Sequence, residues 1–248
     1  MLIKSKSNEI VKHAIKLKDK KYRNIFSQFL VENEKILIEA KKNGYEIDTI
    51  FYSSNSNYNY GENVKLVETN EEIMKAISST SSPAKCVAIV NKKSEVNLNI
   101  NSHFLVLDRL QDPANVGAII RSCLGADFGT VLLIDCADIY DSKVIRASMG
   151  AIFNVPCIKV SQEEVLKLDN PLVIMDMNGQ NIFNLNFDKN INYGFVVGNE
   201  GQGVCKEIKD KASKIVSIPM NEKLESLNAS VSASIVMYAI SRNLKENL

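Results

Sequence analysis

The sequence predicts an α/β protein in which a mostly parallel sheet forms the C-terminal half and a smaller α/β domain precedes it. Short, continuous apolar runs alternate with helical segments, most strongly after residue 102. A polar, asparagine-rich stretch at 91–102 separates two β-like runs, and we place a linker at 93–102 within it. With 248 residues, 45% of them hydrophobic, the chain is long enough to form two packed cores. We therefore expect domains at 1–92 and 103–248.

Residues 1–92 alternate between helix and strand signals. Gly44 follows the last position of a helical pattern, which is the usual place of the glycine that ends a helix. No group of candidate catalytic side chains occurs here, so we expect this domain to bind rather than to react. The predicted elements are a helix at 7–20, a strand at 29–31, a helix at 32–42, a strand at 47–53, a loop at 54–63, a strand at 64–67, a helix at 71–78 and a strand at 86–92.

The second half contains four short apolar runs that are typical of strands buried on both faces: HFLVLD, VLLID, PLVIMD and YGFVVG. Such strands form parallel sheets that are covered by helices. In open parallel sheets, ligands bind beyond the carboxyl ends of the strands. The residues that follow these runs are therefore where a functional site is expected.

Composition excludes several classes of protein. No stretch approaches the roughly 18 consecutive apolar residues of a membrane span, and the N-terminus lacks the apolar core of a secretion signal. We therefore expect a cytoplasmic protein without a membrane partner. The five cysteines form no CxxC pair and only two histidines occur, so we expect reduced cysteines and no metal site.

Positive charge is concentrated at the N-terminus. The first 23 residues contain eight basic and two acidic residues, a net charge of +6 in a chain whose total is +1. Such a segment can contact RNA phosphates, although a solvated helix face explains the pattern equally well. The candidate RNA-binding residues are Lys4, Lys6, Lys12, Lys20, Lys21 and Arg23.

The first candidate site is the segment DRLQDPANVGAIIR, which follows the first apolar run of the second half. Asp112 can cap a helix whose first residue is a proline, because that position needs no amide hydrogen. Asn115 and Arg121 lie six residues apart and so do not share one helical face. Arg121 follows an apolar run, where a guanidinium needs a polar or anionic partner. That partner is RNA, or an internal carboxylate such as Asp108 or Asp135.

The second candidate site is the turn GNEGQGV at 198–204, after YGFVVG. Its glycines have the order G-x-x-G-x-G, the reverse of the dinucleotide fingerprint, so a nicotinamide enzyme is a poor interpretation. Glycine-rich turns let a backbone approach a ligand closely, and Glu200 lies in the middle of this one. A tight turn with a capping glutamate is the structural alternative.

The third candidate site begins at the proline-containing segment IPM and continues into ESLNASVSASIVMYAI. Ser226 is a plausible N-cap of the helix that follows. This helix is apolar or small on nearly every face, so we expect it to be buried by its own domain or by a second subunit. Polar residues that open a buried helix need partners, which a ligand or neighbouring loops could provide.

In this order, the three segments resemble the motifs of the SpoU/TrmH group of the SPOUT superfamily of RNA ribose 2′-O-methyltransferases. The resemblance is carried by DPANVGAIIR, by VVGNEGQGV, and by IPM with ESLNASVSASI, and it covers about 103–244. The run QFLVENEKILIEAKKNG is similar to the small, ribosomal protein L30e-like substrate-binding domain of many members. The resemblance implies a trefoil knot in the catalytic domain, S-adenosylmethionine as cofactor, a homodimer and RNA as partner.

The resemblance also implies residue roles. The cofactor contacts would come from Gly198, Asn199, Gly201, Ile218, Met220 and Leu227. The catalytic group would consist of Asn115, Arg121, Glu200, Ser226 and Asn228. Because a guanidinium stays protonated, our hypothesis is that Arg121 grips RNA and stabilises negative charge that develops on the reacting oxygen.

The function implied is methylation of a ribose 2′-hydroxyl, most often in 23S ribosomal RNA for members with this N-terminal domain. A tRNA substrate is one alternative. A catalytically inactive RNA-binding protein of the same fold and an enzyme that modifies a base are two others.

Overall fold

A computed structural model describes residues 2–53, 63–80, 82, 84–94 and 98–245 of the protein. The chain divides into two compact units: unit 1 comprises Met1–Ser94 and Asp138–Phe153, and unit 2 comprises Glu95–Ala137 and Asn154–Leu248. The predicted loop at 54–63 lies outside the described residues except for its last position, and the predicted linker at 93–102 lies partly outside them. Within the described ranges, no helix is long and apolar enough to cross a membrane.

The sheet of unit 1 contains strands of both directions. Its strands are β1 (Leu2–Ile3), β2 (Gln28–Glu32), β3 (Ile47–Ser53), β4 (Lys65–Thr69) and β5 (Cys86–Asn91). Their order is β1-β4-β3-β5-β2, with β5 antiparallel to both of its neighbours and the other pairs parallel. Valine, isoleucine and phenylalanine fill most of the buried positions, because these side chains pack well on a pleated surface.

The sheet of unit 2 is parallel throughout. Its strands are β6 (Phe104–Asp108), β7 (Thr130–Ile134), β8 (Cys157–Lys159), β9 (Leu172–Asn181), β10 (Gly194–Val197) and β11 (Ala212–Ser217), in the order β11-β9-β10-β6-β7-β8. Every residue of β6, β7 and β10 is buried, as their continuous apolar runs predict. The predicted α/β fold with a mostly parallel C-terminal sheet is confirmed.

The helices, in chain order, are α1 (Glu9–Lys16), α2 (Lys20–Phe26), α3 (Glu34–Lys42), α4 (Glu71–Ile77), α5 (Pro113–Gly125), α6 (Ser142–Ser148), α7 (Gln162–Leu166), α8 (Lys206–Asp210) and α9 (Ala229–Lys245). Helices α1–α4 and α6 belong to unit 1, and the others to unit 2.

The single helix predicted at 7–20 is two helices, so that prediction is wrong in part. Asp19 has extended backbone angles, and its side chain accepts a hydrogen bond from the Lys21 amide at 2.8 Å. An aspartate that bonds to its own local backbone starts a new helix instead of continuing the old one. The chain therefore turns between α1 and α2.

The helix predicted at 32–42 begins two residues late and ends where expected. Glu32 still pairs with Val87 in the sheet, and Asn33 caps α3 with its side chain. Gly44 has a φ of 70°, and its amide donates to the Lys41 carbonyl. The predicted role of this glycine in ending the helix is confirmed, because few other residues adopt a positive φ easily.

Arg23 connects the two segments of unit 1. Its side chain is only 5% exposed and lies 2.9 Å from the Asp138 carboxylate, with Asp141 at 3.5 Å. It also donates to the carbonyls of Leu17 and Lys18. A charge buried this deeply is costly unless it is paired. Arg23 is therefore an internal structural residue, which corrects the expectation that it contacts RNA.

Helix α5 starts as the sequence predicts. The Asp112 side chain accepts from the Ala114 amide at 2.9 Å, and Pro113 is the first helical residue. The helix packs against α9, and the hydroxyls of Ser122 and Ser234 lie 2.7 Å apart at that contact.

Helix α9 is capped by Asn228, and the expectation that Ser226 is the cap is wrong. The Asn228 Oδ1 accepts from the Ser230 amide at 2.9 Å and from the Val231 amide at 3.4 Å. Asparagine is among the best N-cap residues because its short side chain reaches these free amides.

Candidate functional site

A cavity of about 610 Å³ opens in unit 2 beside the carboxyl end of β10 and the middle of β9. This size is within the range of small-molecule sites. Strand ends supply two walls, and the segments before and at the start of α9 supply a third. The lining residues are Met175, Asp176, Met177, Val197, Gly198, Asn199, Glu200, Gly201, Gln202, Gly203, Lys209, Val216, Ser217, Ile218, Met220, Ser226, Leu227, Asn228, Ala229, Ser232 and Val236.

The structure brings the predicted ligand-binding residues together at this cavity. All six positions predicted to contact a cofactor line it, as do three of the five predicted catalytic residues. Asn115 and Arg121 of the first candidate segment are not among the lining residues; the predicted residues that line the cavity come from the second and third segments. These two segments meet because the carboxyl ends of parallel strands lie at one edge of the sheet.

The turn after β10 depends on glycine and asparagine. A Cβ atom on Gly198 would lie 2.3 Å from the backbone of Gly203, so only glycine fits there. The Asn199 Oδ1 accepts from the amides of Gly201 and Gln202, both at 3.0 Å. The asparagine side chain thus holds the turn in shape, as such side chains do in Asx-turns. The backbone of this turn remains at the cavity surface.

Asp108 and Arg109 clamp the same turn from the end of β6. The Arg109 guanidinium donates to the buried Asp108 carboxylate, to Gln202 Oε1 at 3.0 Å and to the Gly203 carbonyl at 3.3 Å. The hydrogen bond to Asp108 raises the pKa of Arg109. Arg109 also has a φ of 60°, a conformation that side chains other than glycine rarely adopt. The surrounding hydrogen bonds stabilise it there, and sequence reasoning missed this role.

A chain of hydrogen bonds crosses the rim of the cavity through Asn115. The side chain of Asn115 is buried and makes both bonds: its Nδ2 donates to Glu200 Oε1 at 3.1 Å, and its Oδ1 accepts from Asn228 Nδ2 at 2.9 Å. Asn115 and Glu200 are 85 positions apart, and Asn115 and Asn228 are 113 apart. The structure therefore places three of the five predicted catalytic residues in one network, with one member from each motif.

Arg121 lies outside this network. It is on α5, six residues beyond Asn115, and its side chain is exposed. Within the residues the structure describes, it forms no ion pair, so the alternative of an internal salt bridge with Asp108 or Asp135 is wrong. Asp108 is paired with Arg109 instead. The Arg121 guanidinium is thus free for an external anion.

Asp176 and Lys209 form an ion pair in the cavity wall that sequence reasoning also missed. Lys209 Nζ lies 2.7 Å from Asp176 Oδ2. This hydrogen bond, together with one from the Asn178 amide, lowers the pKa of Asp176. A signal for Asp176 was present, because it ends the apolar run PLVIMD at a place where ligands of parallel sheets bind.

The predicted RNA-binding lysines lie on the surface of unit 1. The side chains of Lys4, Lys6, Lys12, Lys20 and Lys21 are exposed, and two of them form ion pairs at 2.8 Å, Lys6 with Glu72 and Lys12 with Glu9.

Comparison with known families identifies the class of protein to which this cavity and turn belong, an RNA methylase. Residues 102–238 match the SpoU rRNA Methylase family, which is more than half of the chain. Residues 8–88 match the MRM3-like substrate binding domain. The protein therefore belongs to the SpoU rRNA methylase family, and the predicted family is confirmed.

Individual relatives agree with this assignment. The 23S rRNA (guanosine(2553)-2′-O)-methyltransferase RlmP of Bacillus subtilis (strain 168) is 27% identical over 242 residues, which cover 95% of this chain and 97% of that protein. The crystal structure of an RNA 2′-O ribose methyltransferase is 26% identical with a TM-score of 0.86, covering 99% of this chain and all of that one.

One solved structure of the same fold holds the expected cofactor. An AdoMet-bound rRNA methyltransferase from Sinorhizobium meliloti superimposes with a TM-score of 0.87 at 24% identity, and the match covers 98% of both chains. This structural likeness shows that the two proteins share the same fold.

Proposed function

We propose that this protein transfers a methyl group from S-adenosylmethionine to a ribose 2′-hydroxyl of 23S ribosomal RNA. The observation that carries the proposal is the network of Asn115, Glu200 and Asn228 at the rim of the cavity. Membership of the SpoU family and the named activity of RlmP support it.

The cavity fits the cofactor in size and chemistry. Gly198 and Gly201 line the cavity and carry no side chain, so free backbone groups of this turn can hydrogen-bond an adenine or ribose edge. Ile218, Met220 and Leu227 offer an apolar wall, which suits the flat faces of the adenine. When bound, S-adenosylmethionine supplies a methyl group on a positively charged sulfur.

The residues of the rim position the reacting hydroxyl. Methyl transfer needs the 2′-oxygen in line with the methyl group, and correct placement supplies much of the rate. Asn115 fixes Glu200 and Asn228 relative to each other, so the polar groups that face the RNA are ordered before it binds. Ser226 lies at the same cavity and can hold a ribose or phosphate oxygen.

Arg121 acts as a fixed positive charge in this proposal. A guanidinium stays protonated at ordinary pH, so proton removal from the hydroxyl needs another acceptor. Its exposed, unpaired fork suits a phosphate or the oxygen on which negative charge develops.

The two halves of the chain have separate tasks. We assign RNA binding to 1–92, through the exposed lysines at positions 4, 6, 12, 20 and 21, and catalysis to 103–248. The family likeness supports a trefoil knot in the second region and a cytoplasmic location, where ribosomal RNA is present.

A homodimer is the oligomeric state that the surface of unit 2 favours. Helices α5 and α9 pack on each other and still expose large apolar side chains, those of Leu124, Val231 and Tyr238. Exposed apolar patches of this kind mark subunit contacts. Sedimentation should show a dimer for the wild type and a monomer for Leu124→Glu. Ile191→Glu, also at an exposed apolar position, is the matched control and should stay dimeric.

The proposed activity is tested with methyl-labelled S-adenosylmethionine and total RNA from a strain that lacks the gene. We expect label at one ribose 2′-oxygen of 23S rRNA, found by nuclease mapping, and little label with Asn115→Ala. Label in tRNA would support the tRNA alternative. Label on a base, or cofactor binding without any label, would contradict the proposal.

A further inference from the structure

Unit 1 exposes aromatic and basic side chains together on α1 and α2. Phe26 is 40% exposed and its neighbour Ile25 is 60% exposed. Around Phe26 lie His13 and Tyr22, with Lys16 and Lys21 above the Tyr22 ring. We call the set of His13, Lys16, Lys21, Tyr22 and Phe26 the aromatic–basic face.

The rings of this face hold one another in place. The centroids of His13 and Phe26 are 4.5 Å apart in an edge-to-face arrangement, and those of Tyr22 and Phe26 are 6.2 Å apart and nearly parallel. His13 is itself fixed by a hydrogen bond of 2.7 Å between its Nε2 and Gln28. Phe26 is therefore ordered on two sides while part of its surface faces solvent. Such preorganisation lowers the entropy cost of binding a flat partner.

The charges of the face are positive and available. Lys16 Nζ and Lys21 Nζ lie 5.7 Å and 5.8 Å from the Tyr22 centroid. In the described part of the chain, neither lysine is in an ion pair. The two acidic side chains of residues 1–23 already have partners. Glu9 forms an ion pair with Lys12, and Asp19 accepts a hydrogen bond from the backbone at the start of α2. The local potential thus favours an anionic partner.

We infer that the aromatic–basic face is a stacking platform for an unpaired RNA base, with Phe26 stacking on the base and Lys16 and Lys21 neutralising adjacent phosphates. The inference rests on the proposed function, from which it takes RNA as the partner, and it adds that the RNA is single-stranded at this contact. Bases in a duplex hide their faces, whereas unpaired bases stack on aromatic rings. An apolar protein partner would use Phe26 and Ile25 but would leave the lysines unneutralised.

The first test measures binding of the full-length protein to a short, unstructured single-stranded RNA by fluorescence anisotropy. Phe26→Ala should weaken binding by about 5- to 100-fold, the usual range for loss of one stacked base. Phe26→Trp should restore it, because tryptophan keeps a flat ring. Phe183→Ala is the matched control: this phenylalanine of unit 2 is also exposed, and its loss should leave binding unchanged.

The second test separates stacking from charge. Lys21→Gln should reduce the slope of log Kd against log salt concentration by about 0.7, the value for one phosphate of a single strand. Phe26→Ala should leave that slope unchanged, because stacking releases no counterions. Annealing the probe to its complement should remove most of the difference between wild type and Phe26→Ala.

Several results would contradict the proposal that this face is a stacking platform. These are Phe26→Ala binding RNA as tightly as wild type, Phe26→Trp failing to restore binding, or an equal effect of Phe26→Ala on duplex and single strand. A Phe26→Ala variant that binds RNA normally but loses a protein partner would assign the face to that partner. Failure of the proposed function looks different: the wild type would bind the probe through Phe26 and yet methylate no RNA.

Discussion

The basic segment of unit 1 and helix α5 of unit 2 each contain an arginine, and the two arginines lie in opposite environments. Arg23 is buried and paired with Asp138, whereas Arg121 is exposed and, among the described residues, unpaired. A guanidinium whose donors are used inside the protein stabilises the fold. One that is exposed and unpaired is available to a ligand. Both residues are arginines, so residue type does not separate the structural role from the ligand-binding role. The burial of the side chain does.

The same contrast applies to the two surfaces as a whole. The RNA-binding surface proposed for unit 1 consists of exposed lysines and aromatic rings. The electrostatic attraction of its lysines is shared among several residues and is weakened by salt. The site of unit 2 relies on short hydrogen bonds among neutral amides and one carboxylate. Substitutions in unit 1 should therefore change RNA affinity, and those at the cavity should change turnover or cofactor affinity.

The largest effect on stability is expected for Arg23→Ala. Removing this side chain leaves Asp138 buried without its partner, which should lower the free energy of unfolding by about 3–5 kcal/mol. Urea unfolding followed by circular dichroism measures it. Lys20→Ala, at an exposed position of the same segment, should change stability by less than about 0.5 kcal/mol. A stable Arg23→Ala protein would contradict the assignment of Arg23 as a structural residue.

The largest effect on turnover is expected for Arg121→Ala. We expect kcat to fall by about 100- to 1,000-fold, the range found when one group that stabilises a developing negative charge is removed. The unfolding temperature should not change, because Arg121 forms no internal ion pair within the described residues. Methyl transfer at saturating RNA provides the measurement. Near-normal turnover by Arg121→Lys would show that the planar fork of the arginine is not needed.

A smaller effect should separate two glycines of the same turn. In Gly198→Ala the new Cβ would meet the backbone of Gly203, and such overpacking costs about 1–3 kcal/mol. In Gly201→Ala the nearest atom is 3.7 Å away, so stability should stay close to that of the wild type. Thermal unfolding of the two variants compares them. Equal unfolding temperatures would mean that the turn can shift to accept a side chain.

The smallest effect on ligand binding is expected for Arg109→Ala, which removes the clamp on Gln202 and Gly203 and also lowers stability, because the buried Asp108 carboxylate loses its ion-pair partner. The cofactor dissociation constant should rise about tenfold, as expected for loss of one charged hydrogen bond of about 1.5 kcal/mol. Calorimetric titration with S-adenosylmethionine measures this. Arg109→Gly should bind the cofactor equally weakly but unfold at a higher temperature than Arg109→Ala, because glycine adopts the positive φ without strain. Unchanged affinity in both variants would exclude a role for the clamp.

Much of the fold and of the candidate site could be predicted from local patterns. The buried strands of unit 2, the start of α5 at Asp112 and the end of α3 at Gly44 follow from rules that involve only a few neighbouring residues. Predictions from local patterns were wrong where two such rules favour different structures for the same segment. Asp19 interrupts a helical pattern by capping a second helix, and Asn228 caps α9 although Ser226 is also a good capping residue.

The sequence by itself determined the strand and helix pattern, the turn chemistry and the three motifs, because these depend on backbone conformations that a few adjacent side chains dictate. Tertiary structure alone decided which distant residues meet. It paired Arg23 with Asp138, 115 positions later, and joined Asn115 to Glu200 and Asn228. Nothing local specifies such pairs, because they form only when the parallel strands and the helices that pack on them have brought separate segments of the chain together.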